Sequence, residues 1–320
     1  MESNITGFNL SLDDALDEEA SHGICTKWKK TIYENGKKGY LWIKAGSKLW
    51  GGYMHDSLGE IIASQVAVDL GIDGVVRYRP CVLSFKDEVG TNVKTIGCYS
   101  YDFTGKNEEV VTIDELSRES IAHLDYFELI NYVNEMTGIS KDEFREYLDR
   151  ALLLDSIILN VDRRLGNLAV LKNTITGKYR ICPIFDNGQS FGLQNNSWEY
   201  DGKYEDICIT NFVAKPFKCM HDEQLIYTHY YLHDEGQAEL ARMFKRSLRN
   251  SIELVKMLYE YFGYGVDETW NKADLNRVMM RRTYVKDPMV LPERDYIISQ
   301  LKRRFEIAIG RQESTYVPKY

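Results

Sequence analysis

One stretch constrains this chain more than any other: Asn160-Val161-Asp162-Arg163-Arg164-Leu165-Gly166-Asn167, followed further on by Ile184-Phe185-Asp186-Asn187-Gly188. Between the two lies a β-hairpin, read as strands over Leu168 to Leu171 and Tyr179 to Phe185 around a turn at Asn173 to Gly177. Folding that hairpin back returns the Asp186 carboxylate beside Asn167. A carboxylate and an amide oxygen converging in this way suit a hard, oxygen-seeking cation such as Mg²⁺. Asp and Asn are also ordinary loop residues, and Asn187-Gly188 is an ordinary turn signal. The Asp-x-x-x-x-Asn spacing of Asp162 and Asn167 means little alone in 320 residues. Tied to Asp186 across a hairpin, it becomes selective.

The surroundings are consistent with that reading. Ser140-Lys141-Asp142-Glu143 is a capping box, and it opens a helix in which Phe144, Leu148 and Leu152 recur every fourth residue, ending near Leu159. Upstream, Trp28 to Tyr33 and Tyr40 to Lys44 read as strands joined by a turn at Glu34-Asn35-Gly36. A helix follows over Leu58 to Leu70, closed by Gly71 at the position of a left-handed C-cap. Further strands fall at Val75 to Phe85 and Thr91 to Tyr99, with a turn at Asp87 to Gly90. From about Thr112 the pattern turns helical, and helices are expected over Glu239 to Phe262 and Arg294 to Ile309. The length exceeds one ordinary hydrophobic core. The fold class is therefore α+β, with a small β-rich N-lobe over 1–103 and a larger, mostly helical C-lobe over 104–320.

Phosphoryl transfer from ATP needs a carboxylate near the attacking hydroxyl, oxygen ligands for a divalent cation, and a cation on the phosphates. Asp162 and Asn167 have the spacing of a kinase catalytic loop, and the loop stands between a long helix and a strand. Lys44 ends the apolar strand Tyr40-Leu41-Trp42-Ile43-Lys44, as in the Val-Ala-Ile-Lys element that contacts ATP phosphates. Glu60, near the start of the next helix, is the candidate partner of Lys44. Ser57-Leu58-Gly59-Glu60 is equally a capping box, so Glu60 has a local role open to it as well.

Bulk properties narrow the alternatives. A net charge of −8 argues against a nucleic-acid partner, whose electrostatic footprint is a basic face. The six cysteines are scattered without a Cys-x-x-Cys pair, and read as reduced, small apolar residues. No apolar run is long enough for a membrane span, and Asp13, Asp14, Asp17, Glu18 and Glu19 stand where a signal peptide needs positive charge. A cytoplasmic protein is the expectation. His229 and His233 lie one helical turn apart but lack the Glu of a zinc hydrolase motif. Arg277, Arg281, Arg282 and Lys302-Arg303-Arg304 read as solvated helix faces.

These residues together resemble the HipA-like Ser/Thr protein kinases. Asn160 to Leu168 is similar to that family's Gly-Asn-x-Asp-x-x-x-x-Asn-Phe catalytic loop, and Pro183-Ile184-Phe185-Asp186 to its metal-binding Pro-x-x-Asp strand. Glu60 and Val66-Ala67-Val68-Asp69-Leu70-Gly71 look like the Glu and closing Leu-Gly of its N-lobe helix. The resemblance spans roughly residues 20 to 260, and the compact length is similar to the short CtkA-type members. It implies a protein-kinase-like two-lobe fold and ATP with Mg²⁺ as cofactors. It implies Asp162, Lys44 and Glu60 as catalytic residues, and Asn167 and Asp186 as metal ligands. Ser21-His22-Gly23-Ile24-Cys25-Thr26-Lys27 is similar to the family's Gly-x-x-x-Lys phosphate loop, which puts Ser21, Gly23 and Lys27 on the nucleotide and makes Ser21 a candidate for autophosphorylation. Adenine is expected against a hinge near Ser100 to Phe103, including Tyr101. The implied partners are a protein substrate and an antitoxin or other regulatory protein.

The sequence departs from kinase patterns at three points. No Gly-x-Gly-x-x-Gly precedes Lys44, Asn160 stands where many eukaryotic kinases carry His, and Asn187 replaces the Phe of Asp-Phe-Gly. Asp186-Asn187-Gly188 also resembles the type II phosphatidylinositol 4-kinases, which keeps a lipid or small-molecule acceptor open. A nucleotide-binding pseudokinase or scaffold is the rival from another class, and the intact set Lys44, Asp162, Asn167 and Asp186 counts against it.

Overall fold

The structure, a computed structural model, describes residues 5–16, 25–34, 36–49, 52–53, 56–86, 90, 92–117, 121, 124, 126–158, 160, 162–191, 246–261, 294–295, 297–302 and 305. Outside them lie Ser21, Gly23, His229, His233, Cys208, Cys219, Arg277, Arg281, Arg282, Arg303 and Arg304. Of the helix expected over Glu239 to Phe262, residues 246–261 are described and the rest lie outside.

The N-lobe is a twisted sheet of β1 (Thr6–Asn9), β2 (Cys25–Glu34), β3 (Lys37–Leu49), β5 (Arg79–Lys86) and β6 (Asn92–Tyr101), in the order β1-β5-β6-β3-β2, with β4 (Gly52–Tyr53) pairing β3. The β2–β3 hairpin closes with Glu34 opposite Lys37, and Gly36 takes the positive φ, +74°, that so short a turn requires. Strand alternation then sorts the side chains. Leu41, Ile43 and Ala45 go to one face, into a small core with Phe8, Trp28, Cys81, Leu83, Phe85 and Val93. The even residues of β3, Lys44 among them, go to the other face.

That other face carries helix α1 (Asp56–Leu70), of which every residue except Gln65 and Val68 is buried. A helix covered all round is sandwiched, and α1 lies between the sheet and the C-lobe. It ends as expected: Gly71 has φ +71°, and the Ile72 N–H donates to the Ala67 carbonyl at 2.8 Å, the six-to-one bond of a Schellman motif.

The C-lobe contains α2 (Tyr126–Thr137), α3 (Lys141–Ile158), a sheet of β7 (Glu108–Thr112), β8 (Ala169–Asn173) and β9 (Tyr179–Ile181), and α4 (Arg249–Tyr261). The α3 cap forms through the Glu143 N–H, which donates to Ser140 Oγ at 3.2 Å, and Phe144, Leu148 and Leu152 are buried. One continuous apolar core joins α1 to α2, α3, α4 and β8, so the lobes share packing rather than merely touch.

Several elements differ from expectation. Ahead of the acidic run, where no element is expected, β1 pairs in parallel with β5, and Ser11 accepts the Trp28 indole N–H at 2.7 Å through its carbonyl. The segment before Thr112 contains β7, which pairs with β8 some sixty positions away and is anchored by the Arg180 guanidinium gripping Glu108 at 2.6 and 2.8 Å. The second hairpin strand stops at Ile181. Beyond it Ile184 forms a parallel bridge with Val75, just after α1, so the residues leading to Asp186 are hydrogen-bonded to the N-lobe.

Candidate active site

β3 ends its regular pairing with β6 at Lys44 and Ala45, opposite Cys98 and Gly97. Alternation points the Lys44 side chain toward α1, and it is buried. Its ammonium donates to Asp186 Oδ1 at 2.9 Å and makes a short ion pair with Glu60 Oε1. The other Glu60 oxygen, Oε2, accepts the Asn187 N–H at 2.8 Å. Glu60 therefore spans the Lys44 ammonium and the backbone just past Asp186. The local alternative for Glu60, a capping box with Ser57, is not what forms. α1 begins at Asp56, and the Ser57 hydroxyl donates to the Lys44 carbonyl at 3.4 Å.

The close approach that allows this is a glycine contact. A Cβ on Gly59 would lie 2.5 Å from the Gly188 carbonyl oxygen, and a Cβ on Gly188 would lie 3.1 Å from Asp56 Cβ. Any side chain at position 59 would push the first turn of α1 off the 186–188 loop. Asp186 itself has φ +58°, a left-handed conformation that Asp tolerates better than most residues.

The charges define one another. Burial opposes the Lys44 charge, yet Asp186 and Glu60 hold its pKa well above the ordinary lysine range. Burial alone would raise the Asp186 carboxyl, but Lys44, Lys27 and Arg163 bring it down to about 2. For Glu60, burial and the nearby Asp186 outweigh Lys44, so its carboxyl sits above the usual range. Asp186 is thus the firmly ionised carboxylate of the pair.

The catalytic-loop segment is built around Arg163, only 1% exposed. Its guanidinium grips Asp155 of α3 through Nε at 2.9 Å and Nη2 at 3.0 Å. Nη1 donates to the carbonyls of Asn167 at 3.0 Å and Phe185 at 2.7 Å, and Nη2 also reaches Asn187 Oδ1. One side chain therefore ties α3, the Asp162–Asn167 loop and the Asp186 segment into a unit. Asn160 extends it: its Nδ2 donates to Asp155 Oδ1 at 2.9 Å, and its Oδ1 accepts the Asp162 N–H at 3.1 Å. Asn167 Nδ2 donates to the Asp162 carbonyl at 2.7 Å and lies 3.4 Å from Asp162 Oδ2. With the amide nitrogen committed to Asp162, the Asn167 oxygen is the atom left for a cation.

This donor set fits a hard divalent ion beside a polyphosphate. An ionised carboxylate and an amide oxygen supply ligands, and a buried ammonium sits at their side. The fold puts Lys44, Glu60 and Asp186 in direct contact, and Arg163 ties the Asp162–Asn167 loop to Phe185, the residue before Asp186. Lys27 joins them: it is paired with Lys44 in the β2–β3 register, so the two side chains share a face. Burial and the Lys44 charge lower its pKa, against the pull of Asp186. Its position is on β2, however, and not in a loop. Tyr101 is not brought to the cleft by its side chain. It pairs with Leu41 and so faces away from Lys44, 41% exposed, with its hydroxyl on Glu34 at 2.7 Å and the Arg79 guanidinium 5.4 Å from its ring. From the same hinge, Phe103 stacks on Phe185 with ring centroids 6.3 Å apart.

Two contributors escape sequence reasoning: Tyr78, whose ring lies 5.5 Å from the Lys44 ammonium, and Arg163 in its bracket role. Tyr78 carries no motif. Arg163 is adjacent to Asp162, but nothing local distinguishes a buried arginine from a solvated one. Asn187, in the place of the Phe of Asp-Phe-Gly, is fully buried, and its Nδ2 has no partner among the described residues.

Comparison with solved structures supports the fold. The chain is similar to the Helicobacter pylori proinflammatory kinase CtkA, with a TM-score of 0.57 and 15% identity, over 88% of this chain and 93% of that one. Weaker similarity extends to a Golgi casein kinase, with a TM-score of 0.41 and 12% identity over 92% of this chain and 71% of that one. It extends also to hydra Fam20 with bound sugar, with a TM-score of 0.38 and 15% identity over 90% and 82%. The fold is kinase-like, α+β and two-lobed. No family profile and no characterised protein matches the sequence itself. No helix among the described residues is long and apolar enough to cross a membrane.

Proposed function

We propose that this chain is a Mg²⁺- and ATP-dependent phosphotransferase of the HipA-like type that phosphorylates serine or threonine in a protein. The observation that carries the reading is the Lys44 ammonium held between Glu60 and Asp186, with Asp162 and Asn167 bound to each other alongside. Lys44 and Glu60 come from the N-lobe, and the other three residues come from the C-lobe. A structural ion pair needs no such convergence of loops.

When bound, ATP and its cation supply the phosphoryl group, the leaving ADP and the charge neutralisation that transfer to a hydroxyl requires. Asp186 and the Asn167 oxygen would hold the cation, and Lys44, oriented by Glu60, would offer its ammonium to the phosphate oxygens. Asp162 positions the acceptor hydroxyl and takes its proton as that oxygen bonds the γ-phosphorus and the bond from the γ-phosphorus to the β–γ bridging oxygen breaks. Lys27 adds a second cation on the same face, which suits the polyphosphate. Preference for a protein hydroxyl rests on the similarity of Asn160 to Leu168 to the HipA-like loop, and Ser21 is the proposed site of autophosphorylation.

The test is incubation of purified protein with Mg-ATP, followed by intact-mass and peptide mass spectrometry beside Asp162→Ala. Phosphate on serine or threonine in the wild type alone is expected. Mg-ATP binding by calorimetry without any transfer to protein or lipid would replace this reading with that of a nucleotide-binding scaffold.

A further inference from the structure

Helix α1 carries Glu60 in its second turn and Asp69 in its last, about 13 Å apart along the axis. Asp69 is poorly placed on local grounds. A carboxylate in the last turn opposes the helix's own dipole, and Asp is a weak helix former. Yet it is only 6% exposed and well bound. Its Oδ2 accepts the Ser251 N–H and the Ser251 hydroxyl, each at 2.8 Å, and its Oδ1 accepts Asn250 Nδ2 at 2.9 Å and Gln65 Nε2 at 3.2 Å.

Ser251 lies in the first turn of α4, where backbone N–H groups have no partner within the helix. The residue before α4 is Leu248, whose carbonyl accepts the Ile252 N–H at 3.0 Å but whose buried side chain has no acceptor to offer. Ser247 Oγ accepts the Arg249 N–H at 3.4 Å, and Asp69 supplies, from the other lobe, the acceptor for the Ser251 N–H of that same first turn. The contact is reciprocal. The Arg246 guanidinium, just ahead of α4, packs over Gly71, where a Cβ would lie 2.8 Å from its Nη2, so a cation sits at the C-terminal end of α1.

We propose that Asp69 is a positioning residue for the Lys44–Glu60 pair: by capping α4 it clamps α1 to the C-lobe and so holds Glu60 on Lys44 and on the Asn187 N–H. Its consequence for catalysis rests on the function proposed above, whereas its structural half does not. In the clamped arrangement the C-lobe grips α1 at both ends, through Gly59 against Gly188 and through Asp69 against Ser251. The pair is then assembled without a separate activating event.

The test uses the full chain with Asp69→Asn, Asp69→Ala and the milder Ser251→Ala, which keeps the α4 backbone donor. Amide hydrogen exchange is read at Asn187, whose N–H reports Glu60, against the amides of Val170 and Leu171, which report global opening. Asp69→Ala should speed exchange at Asn187 by about tenfold relative to those strand amides, and Ser251→Ala by about two- to threefold. Steady-state kinetics should show kcat/KM for ATP lowered about tenfold in Asp69→Ala, with little further loss when Glu60→Gln is already present, because both act through one contact. Unchanged relative exchange at Asn187, or losses that simply multiply in the double variant, would overturn the clamp. A wild type that transfers no phosphate would refute the proposed reaction, while the exchange data would still decide whether Asp69 holds Glu60.

Discussion

Replacing Arg163 with methionine should be among the most damaging single changes in the C-lobe. The side chain and its partner Asp155 are each about 1% exposed, and the guanidinium makes a two-pronged contact with that carboxylate. Removing one partner of a buried ion pair leaves the other charged and unsolvated, at a cost of roughly 3–5 kcal/mol. The carbonyls of Asn167 and Phe185 and the Asn187 amide oxygen lose a donor as well. Such losses do not add fully, so about 4 kcal/mol is the expected total, a large part of the roughly 5–15 kcal/mol that holds a typical domain together. Urea unfolding followed by fluorescence should show the midpoint falling at an unchanged slope. Arg163→Lys should recover little, because a point charge cannot span Asp155 and two carbonyls at once. Asp155→Leu combined with Arg163→Met should be less damaged than the two single losses summed, since no charge is then stranded. A loss below about 1 kcal/mol in Arg163→Met would refute the bracket assigned to this residue.

The remaining predictions concern the cleft. Asp162→Asn should lower turnover by about 10²–10⁴-fold while Mg-ATP still binds in calorimetry, as expected for a proton acceptor. The Asp186 carboxyl titrates at about 2 in the folded chain against an ordinary 3.8, so the stabilisation it contributes is complete above about pH 4 and is lost as pH falls through 2. That is about 2 kcal/mol, and Lys44→Met should flatten this acid limb in pH-dependent unfolding by removing the first of the cations responsible. Gly59→Ala should destabilise by about 1–3 kcal/mol despite the better helix propensity of alanine, because the new Cβ would meet the Gly188 carbonyl at 2.5 Å. A neutral result in thermal unfolding would mean that α1 and the 186–188 loop can separate freely.

Much of the cleft is legible in the sequence because its signals are local. The exception is the last step to Asp186, which is set by the bridge of Ile184 to Val75. The Asp162–Asn167 spacing and the turn near Gly177 belong to one hairpin, and short-range chain geometry settles a hairpin. The same holds for the Ser140 cap and the Gly71 C-cap, where each backbone donor finds its acceptor within a few residues. Strands β1 and β7 are not legible. Each is short and half polar, and each is stabilised by a distant partner that no local window contains, β5 about 75 positions on for β1 and β8 about 60 positions on for β7. The Tyr101 side chain turns away from Lys44, which proximity to a hinge does not reveal, because it does not say which face of β6 a side chain occupies. Only the pairing with Leu41 decides that.

Residue type, period and turn chemistry are enough to set most helices and hairpins, the acidic and amide groups of the site and the lysine that answers them, while β1 and β7 lie beyond their reach. Long-range packing settles where groups with two acceptable partners bind. Glu60 could have capped its own helix, Arg163 could have been solvated, and Asp69 is disfavoured by its own helix. In each case the outcome was set by a donor or acceptor arriving from a distant part of the chain, namely Lys44 with the Asn187 N–H, Asp155, and the first turn of α4. Burial makes those choices firm, because a charged group removed from water must be satisfied by whatever the fold brings to it.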